Sequence, residues 1–198
     1  DHVLDQENFS RLSYDYYDSS EIIPELGLTN ADYMRRVVAG CREFAADFDR
    51  KKENLLFTGS TGVGKTFLTN CIAKELIDSG HSVIYLSAGD LFEVFSRNKF
   101  DYDTPEDMRD TYRYILDCDL LIIDDLGTEL NNSFVSSQLF YCINERIGRK
   151  KGTIISTNLS MSMLKDTYSD RVTSRIMSNY RVIPLYGADI RMKKRVFA

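Results

Sequence analysis

Gly59-Ser60-Thr61-Gly62-Val63-Gly64-Lys65-Thr66 fits G-x-x-x-x-G-K-[ST], the pattern of a phosphate-binding P-loop. Its context gives it weight. Asn54-Leu55-Leu56-Phe57-Thr58, just before it, is a short apolar run that reads as a buried strand. Residues 67–79, just after it, form an amphipathic run that reads as a helix. Glycines let the backbone turn its N–H groups toward a phosphate, and the N-terminus of the following helix adds its dipole. In such a loop Lys65 reaches the β- and γ-phosphates and the Thr66 hydroxyl ligates Mg²⁺. The expected cofactors are therefore ATP/ADP and Mg²⁺. Gly59, Ser60, Thr61, Gly62, Val63, Gly64, Lys65, Thr66 and Phe67 are expected around the phosphates.

Working outward, five strand-like runs alternate with helical patterns, at 55–58, 83–87, 120–124, 153–157 and 181–185. The inner runs are apolar and β-branched, as suits strands buried on both faces of a parallel sheet. The expected fold class is α/β, a three-layer P-loop NTPase fold with a five-stranded parallel sheet. Asn30 is expected to cap a helix over 31–48, where Tyr33, Met34, Val37, Val38, Cys41, Phe44, Ala45 and Phe48 recur at helical spacing. Two further helices are expected at 89–97 and 105–116, broken at 98–104. Residues 1–28 show little periodicity, so 1–30 read as an irregular lead-in packed on a domain of 31–198. There Phe9, Leu12, Tyr14, Ile22 and Ile23 are set either to pack on that domain or to cover a base.

The bulk numbers exclude several classes. Hydrophobic residues make up 43% and charged residues 28%, ordinary values for a globular domain of 198 residues. No apolar run approaches a membrane span and no signal peptide opens the chain, so a cytoplasmic protein is expected. The chain opens on Asp1 rather than Met, as a fragment or processed form would, with an N-terminal domain possible before it. Cys41, Cys71, Cys118 and Cys142 lie far apart in apolar stretches and are expected as buried free thiols. Only His2 and His81 are present, which argues against a His-based triad or a His-rich metal site. Net charge is −5, yet residues 165–198 carry eight bases against three acids. That basic end suits phosphate, from a nucleotide or a nucleic acid.

Leu120-Leu121-Ile122-Ile123-Asp124-Asp125 is an apolar strand ending in acid, the Walker B pattern. A P-loop needs a carboxylate at the end of a neighbouring strand to hold Mg²⁺ through its water shell, and Asp124 fits that role. Asp125 is placed to orient or deprotonate the attacking water. Asn158 ends the next strand-like run and can present its amide to the γ-phosphate or the water. Arg171 and Arg175 share a helix face, and either guanidinium can stabilise γ-phosphate charge in the transition state. Arg191 opens a basic tail with Lys193, Lys194 and Arg195.

The order of P-loop, Asp124-Asp125-Leu126-Gly127, Ser156-Thr157-Asn158, Arg171-x-x-x-Arg175 and Gly187-x-Asp189-x-Arg191 resembles the AAA+ ATPases. Within them it resembles the DnaC/DnaI group of bacterial replicative helicase loaders, with the transposition helper IstB as a near relative. The resemblance implies ATP hydrolysis by an ATP-dependent oligomer that loads a hexameric replicative helicase onto single-stranded DNA. An IstB-like regulation of a transposase on DNA is the alternative. It also implies that Asn158 is sensor 1, Arg175 the arginine finger and Arg191 a sensor 2-like residue. Asp125 stands where Glu is usual in AAA+ proteins. The large helical lid is expected to be absent, since thirteen residues follow Leu185. By the same resemblance the two helices after Gly89 line a DNA channel, with Arg97, Lys99, Phe100 and Tyr102 either meeting DNA or packing the helices together.

Overall fold

A computed structural model describes residues 2–100, 106–129 and 133–192 of the chain. It opens with α1 (His2–Gln6), a two-strand ribbon of β1 (Ile22–Ile23) and β2 (Leu28–Thr29), then α2 (Asn30–Ala46) and α3 (Phe48–Lys51). Next come β3 (Asn54–Thr58), α4 (Lys65–Asp78), β4 (Val83–Ser87), α5 (Ala88–Phe100), α6 (Glu106–Asp117) and β5 (Leu120–Leu126). The chain continues through α7 (Ser133–Gly148), β6 (Gly152–Thr157), α8 (Met161–Tyr168), α9 (Asp170–Asn179) and β7 (Tyr180–Pro184).

Strands β3 to β7 form one five-stranded parallel sheet in the order β4-β5-β6-β3-β7. The five expected runs are these strands, within two residues at each end. Each inner strand has an apolar middle because its alternate residues serve two cores. Leu55, Phe57, Leu120, Ile122 and Ile154 belong to the core shared with α2 and α4. Leu56, Leu121, Ile123 and Ile155 belong to the opposite core, with α5, α7 and α9. The strand order has one consequence for the site. Because β6 lies between β3 and β5, its C-terminal end sits between the loop after β3 and the acids ending β5. In parallel α/β sheets, ligands bind at that edge.

Several local expectations need correction. Thr29, not Asn30, caps α2: its Oγ1 accepts from Asp32 N at 3.2 Å with the extended backbone a cap requires. Asn30 is buried instead, and its Nδ2 donates to the Tyr186 carbonyl at 2.9 Å. Helix α2 stops at Ala46, and Phe48 opens the separate turn α3. Helix α5 runs on to Phe100, through part of the expected break. In the lead-in, Phe9 is buried in the core and Leu12 and Tyr14 pack against it, but Ile22 stays exposed on its short ribbon. Tyr102, Lys193, Lys194 and Arg195 lie outside the described residues, as do the side chains of Lys99 and Phe100.

One buried charge ties α6 to the start of β6. Arg146 of α7 is fully buried and spends its donors on carbonyls and side-chain acceptors rather than on a carboxylate. Nη1 donates to Ile115 O at 2.6 Å, and Nη2 to Gly152 O at 2.6 Å and Cys118 O at 3.1 Å. Nε donates to Thr153 Oγ1 at 3.0 Å. The guanidinium thus ties the C-terminal end of α6, where backbone carbonyls carry partial negative charge, to the start of β6. All four cysteines are free and buried. Burial pushes the thiols of Cys41, Cys71 and Cys142 up to about 12, so none is a ready nucleophile. Among the described residues no helix is long and apolar enough to cross a membrane.

Candidate active site

The loop from β3 to α4 bends through glycines with positive φ, +79° at Gly62 and +107° at Gly64. The segment after β7 comes back to close on it. Leu185 N donates to Thr58 O at 2.7 Å, and Ile190 N donates to Gly62 O at 2.9 Å. A Cβ at Gly62 would stand 2.0 Å from Asp189 Oδ1, so any other residue here would have to displace the Asp189 side chain.

Lys65 begins α4 and is buried. Its Nζ donates to Gly59 O at 2.7 Å, Ser60 O at 2.8 Å and Asn158 Oδ1 at 2.6 Å. Burial lowers the ammonium pKa, while the nearby carboxylates of Asp125 and Asp124 oppose that shift. The bond to Asn158 joins the P-loop to the end of β6, as the strand order requires.

At the end of β5, Asp124 is buried and its carboxylate is held by three hydroxyls. Ser156 Oγ donates to Oδ1, Tyr85 Oη donates to Oδ2 at 2.5 Å, and Thr66 Oγ1 donates to Oδ2 at 3.1 Å. Asp125 has φ of +54°, and the β5–β6 register shifts between Ile123 and Leu126. In a regular strand two consecutive side chains point to opposite faces. The left-handed kink breaks that rule: Asp124 reaches Thr66 while Asp125 lines the cavity beside it. Ser156 bridges the two acids, since its Oγ also accepts from Asp125 N at 2.9 Å.

These groups surround a cavity of about 330 Å³. Thr61, Gly62, Gly64, Lys65, Thr66 and Phe67 line it from the loop, Asp125 and Asn158 from the sheet, and Arg191 from the C-terminal side. Gly59, Ser60 and Val63 do not line it: Val63 is buried in the core, and the two others supply carbonyls to Lys65. Arg191 is exposed and forks onto Asp189, with contacts of 3.0 and 2.8 Å. That partner holds the Asp189 carboxyl below the usual range. The lead-in supplies the opposite wall through Arg11, Leu12, Ser13, Tyr16 and Tyr17. Of these only Leu12 was expected, because nothing in a polar, aperiodic run marks which residues fold back.

Arg171 and Arg175 are not brought to this cavity. They are exposed on α9 and stack on Phe140 of α7, 4.3 and 6.0 Å from its ring centre.

The donor set suits a nucleotide with Mg²⁺. Lys65 supplies a point charge for phosphate oxygens, and the loop opens onto the N-terminus of α4. Thr66 can give an oxygen lone pair to a cation while its O–H still bonds Asp124. Among the described residues no cluster of three His, Cys, Asp or Glu can cage a metal. A cation here would therefore share Thr66, Asp124 and phosphate oxygens, the manner of Mg²⁺.

The family model described as "IstB-like ATP binding protein" matches residues 2–198. The replicative helicase loader DnaC of Buchnera aphidicola subsp. Baizongia pistaciae is 25% identical over 142 residues, covering 72% of this chain and 57% of that protein. DnaC of Escherichia coli (strain K12) is 24% identical over 135 residues, covering 68% of this chain and 54% of that protein. The chain thus spans little more than half the length of the curated loaders it matches. A crystal structure of the DnaC helicase loader superposes with a TM-score of 0.71 at 23% identity, over 94% of this chain and 100% of that one. That likeness establishes the AAA+ fold.

Proposed function

Because this chain belongs to the family of IstB-like ATP-binding proteins, we propose that it is a Mg²⁺-dependent ATPase that loads a hexameric replicative helicase onto single-stranded DNA in the cytoplasm. The observation that carries the catalytic reading is the Lys65–Asn158 contact of 2.6 Å in a cavity that Asp125 also lines. It puts a phosphate-binding cation, a polar amide and a free-facing carboxylate around one space. The likeness to DnaC proteins carries the loader reading.

In this reading the P-loop from Gly59 to Thr66 holds the phosphates and Lys65 leaves its loop carbonyls for the β- and γ-oxygens. Thr66, and Asp124 through water, would hold Mg²⁺, which would supply positive charge against the phosphates. Asp125 accepts the proton of the attacking water. Asn158, already bonded to Lys65, orients that water against the γ-phosphate. Arg191 swings from Asp189 to the nucleotide. Arg175, away from its own cavity, serves a neighbouring subunit of an ATP-dependent oligomer. The wall of Tyr16, Tyr17 and Leu12 receives the base.

One observation favours a second reading. The IstB-like model spans nearly the whole chain, whereas the two DnaC sequence matches cover 72% and 68% of it. In that reading the ATPase regulates a transposase on DNA. A pull-down with ATP present, using the chain as bait against purified replicative helicase and transposase, decides between them. Retention of the helicase and ATP-dependent delivery of it to single-stranded DNA supports the loader. Retention of the transposase alone overturns it.

A further inference from the structure

Tyr85 has no place in the chemistry above, yet it touches its centre. It lies in β4, the edge strand of the sheet, paired in register with Ile122. Its ring points to the α4 face, and its hydroxyl reaches Asp124 Oδ2 at 2.5 Å. Thr66 and Thr69 of α4 lie near that hydroxyl. A phenol O–H facing a carboxylate is the donor of the pair.

The carboxylate of Asp124 offers about four lone-pair positions. Ser156 takes one on Oδ1, Tyr85 takes one on Oδ2, and Thr66 takes a third, 3.1 Å from Oδ2 and 3.4 Å from Oδ1. One position is left. Rotation of a carboxyl about its sp³–sp² bond is soft, so a donor on each oxygen is what fixes its plane. Ser156 fixes Oδ1, and on Oδ2 the closer donor is Tyr85, at 2.5 Å against 3.1 Å for Thr66.

We propose that Tyr85 is a positioning residue that orients the Asp124 carboxylate so that its remaining lone pair meets the water shell of Mg²⁺. This rests on the Mg²⁺-nucleotide reading of the site. It gives the sheet edge a direct hold on the metal position, through a side chain that is 37% exposed at the surface.

Tyr85→Phe removes the hydroxyl and keeps the ring. The test titrates Mg²⁺ into the full chain with a fluorescent ATP analogue and repeats nucleotide binding in EDTA. Mn²⁺ binding followed by electron paramagnetic resonance gives a second readout independent of turnover. A hydrogen bond to a charged group contributes enough for about a tenfold rise in Mg²⁺ half-saturation in Tyr85→Phe. Mn²⁺ affinity should fall in parallel, with metal-free nucleotide binding unchanged. Tyr85→Leu should show the same rise plus a lower midpoint, from lost packing. Half-saturation within twofold of the parent overturns the proposal. So does a lower half-saturation, which would make Tyr85 a competitor of the cation. A parent whose nucleotide binding ignores Mg²⁺ altogether overturns the underlying site reading, a different result from a metal-dependent parent matched by Tyr85→Phe.

Discussion

Gly62→Ala tests how tightly the C-terminal segment and the P-loop are fitted together. Gly62 has φ of +79°, where an alanine costs about 1–2 kcal/mol from its Cβ alone. That Cβ would also stand 2.0 Å from Asp189 Oδ1 and 2.1 Å from Asp189 Cγ. Asp189 must therefore swing away and release Arg191, whose guanidinium forks onto it. The pair is solvent-exposed, so its loss adds little to the stability change. Gly80 provides the control: φ is +89° and nothing lies within 4 Å of an added Cβ. Both alanine variants should lose about 1–2 kcal/mol, a fall in thermal midpoint of roughly 2–8 °C for a domain of this size. Only Gly62→Ala should lose nucleotide affinity, by about tenfold, because displacing Asp189 shifts the docked segment that presents Arg191 to the cavity. The assay is thermal unfolding paired with titration of a fluorescent ATP analogue. Gly62→Ala that binds nucleotide as well as Gly80→Ala would refute the reasoning, because the docked segment would then be irrelevant to the site.

Three further outcomes are expected. Asp125→Asn should keep nucleotide affinity within about twofold and lower single-turnover hydrolysis by 10²–10⁴, the usual span for a general base; unchanged hydrolysis removes Asp125 from the chemistry. Arg175→Ala and Lys65→Ala should each be inactive alone and recover activity when mixed, since each spoils a different half of a shared site; no recovery at any ratio, with both folded, excludes an arginine supplied between subunits. Arg146→Lys should destabilise by about 2–4 kcal/mol in urea unfolding, because one ammonium cannot satisfy the carbonyls of Ile115, Cys118 and Gly152 together.

What could be read in the sequence was what local chemistry dictates. A P-loop needs its glycines, Lys65 and Thr66 in a fixed spacing between a strand and a helix, so the spacing locates the proposed phosphate site. Asp124 and Asp125 end an apolar run, and the sheet order then brings Asn158 to Lys65. What remained hidden depends on distant partners. Tyr85 reads as one more aromatic in a strand, and only the paired strands bring its hydroxyl to Asp124. Arg146 reads as a surface charge on a helix, because its partners are backbone carbonyls that leave no trace in side-chain identity. The lead-in residues Arg11 and Tyr16 fold back through contacts that no periodicity encodes. Thr29 and Asn30 are both good caps, and the choice fell to Thr29 because Asn30 is needed by the Tyr186 carbonyl. The kink at Asp125 is likewise set by the β5–β6 register shift rather than by its own type.

The central claim is that Mg²⁺-ATP binds at the P-loop through Lys65. Calorimetric titration of ATP into the parent and into Lys65→Ala, each with and without Mg²⁺, measures this directly. The account predicts saturable binding by the parent that weakens when Mg²⁺ is withheld, and no measurable heat with a folded Lys65→Ala. Binding by Lys65→Ala as tight as the parent's would contradict it.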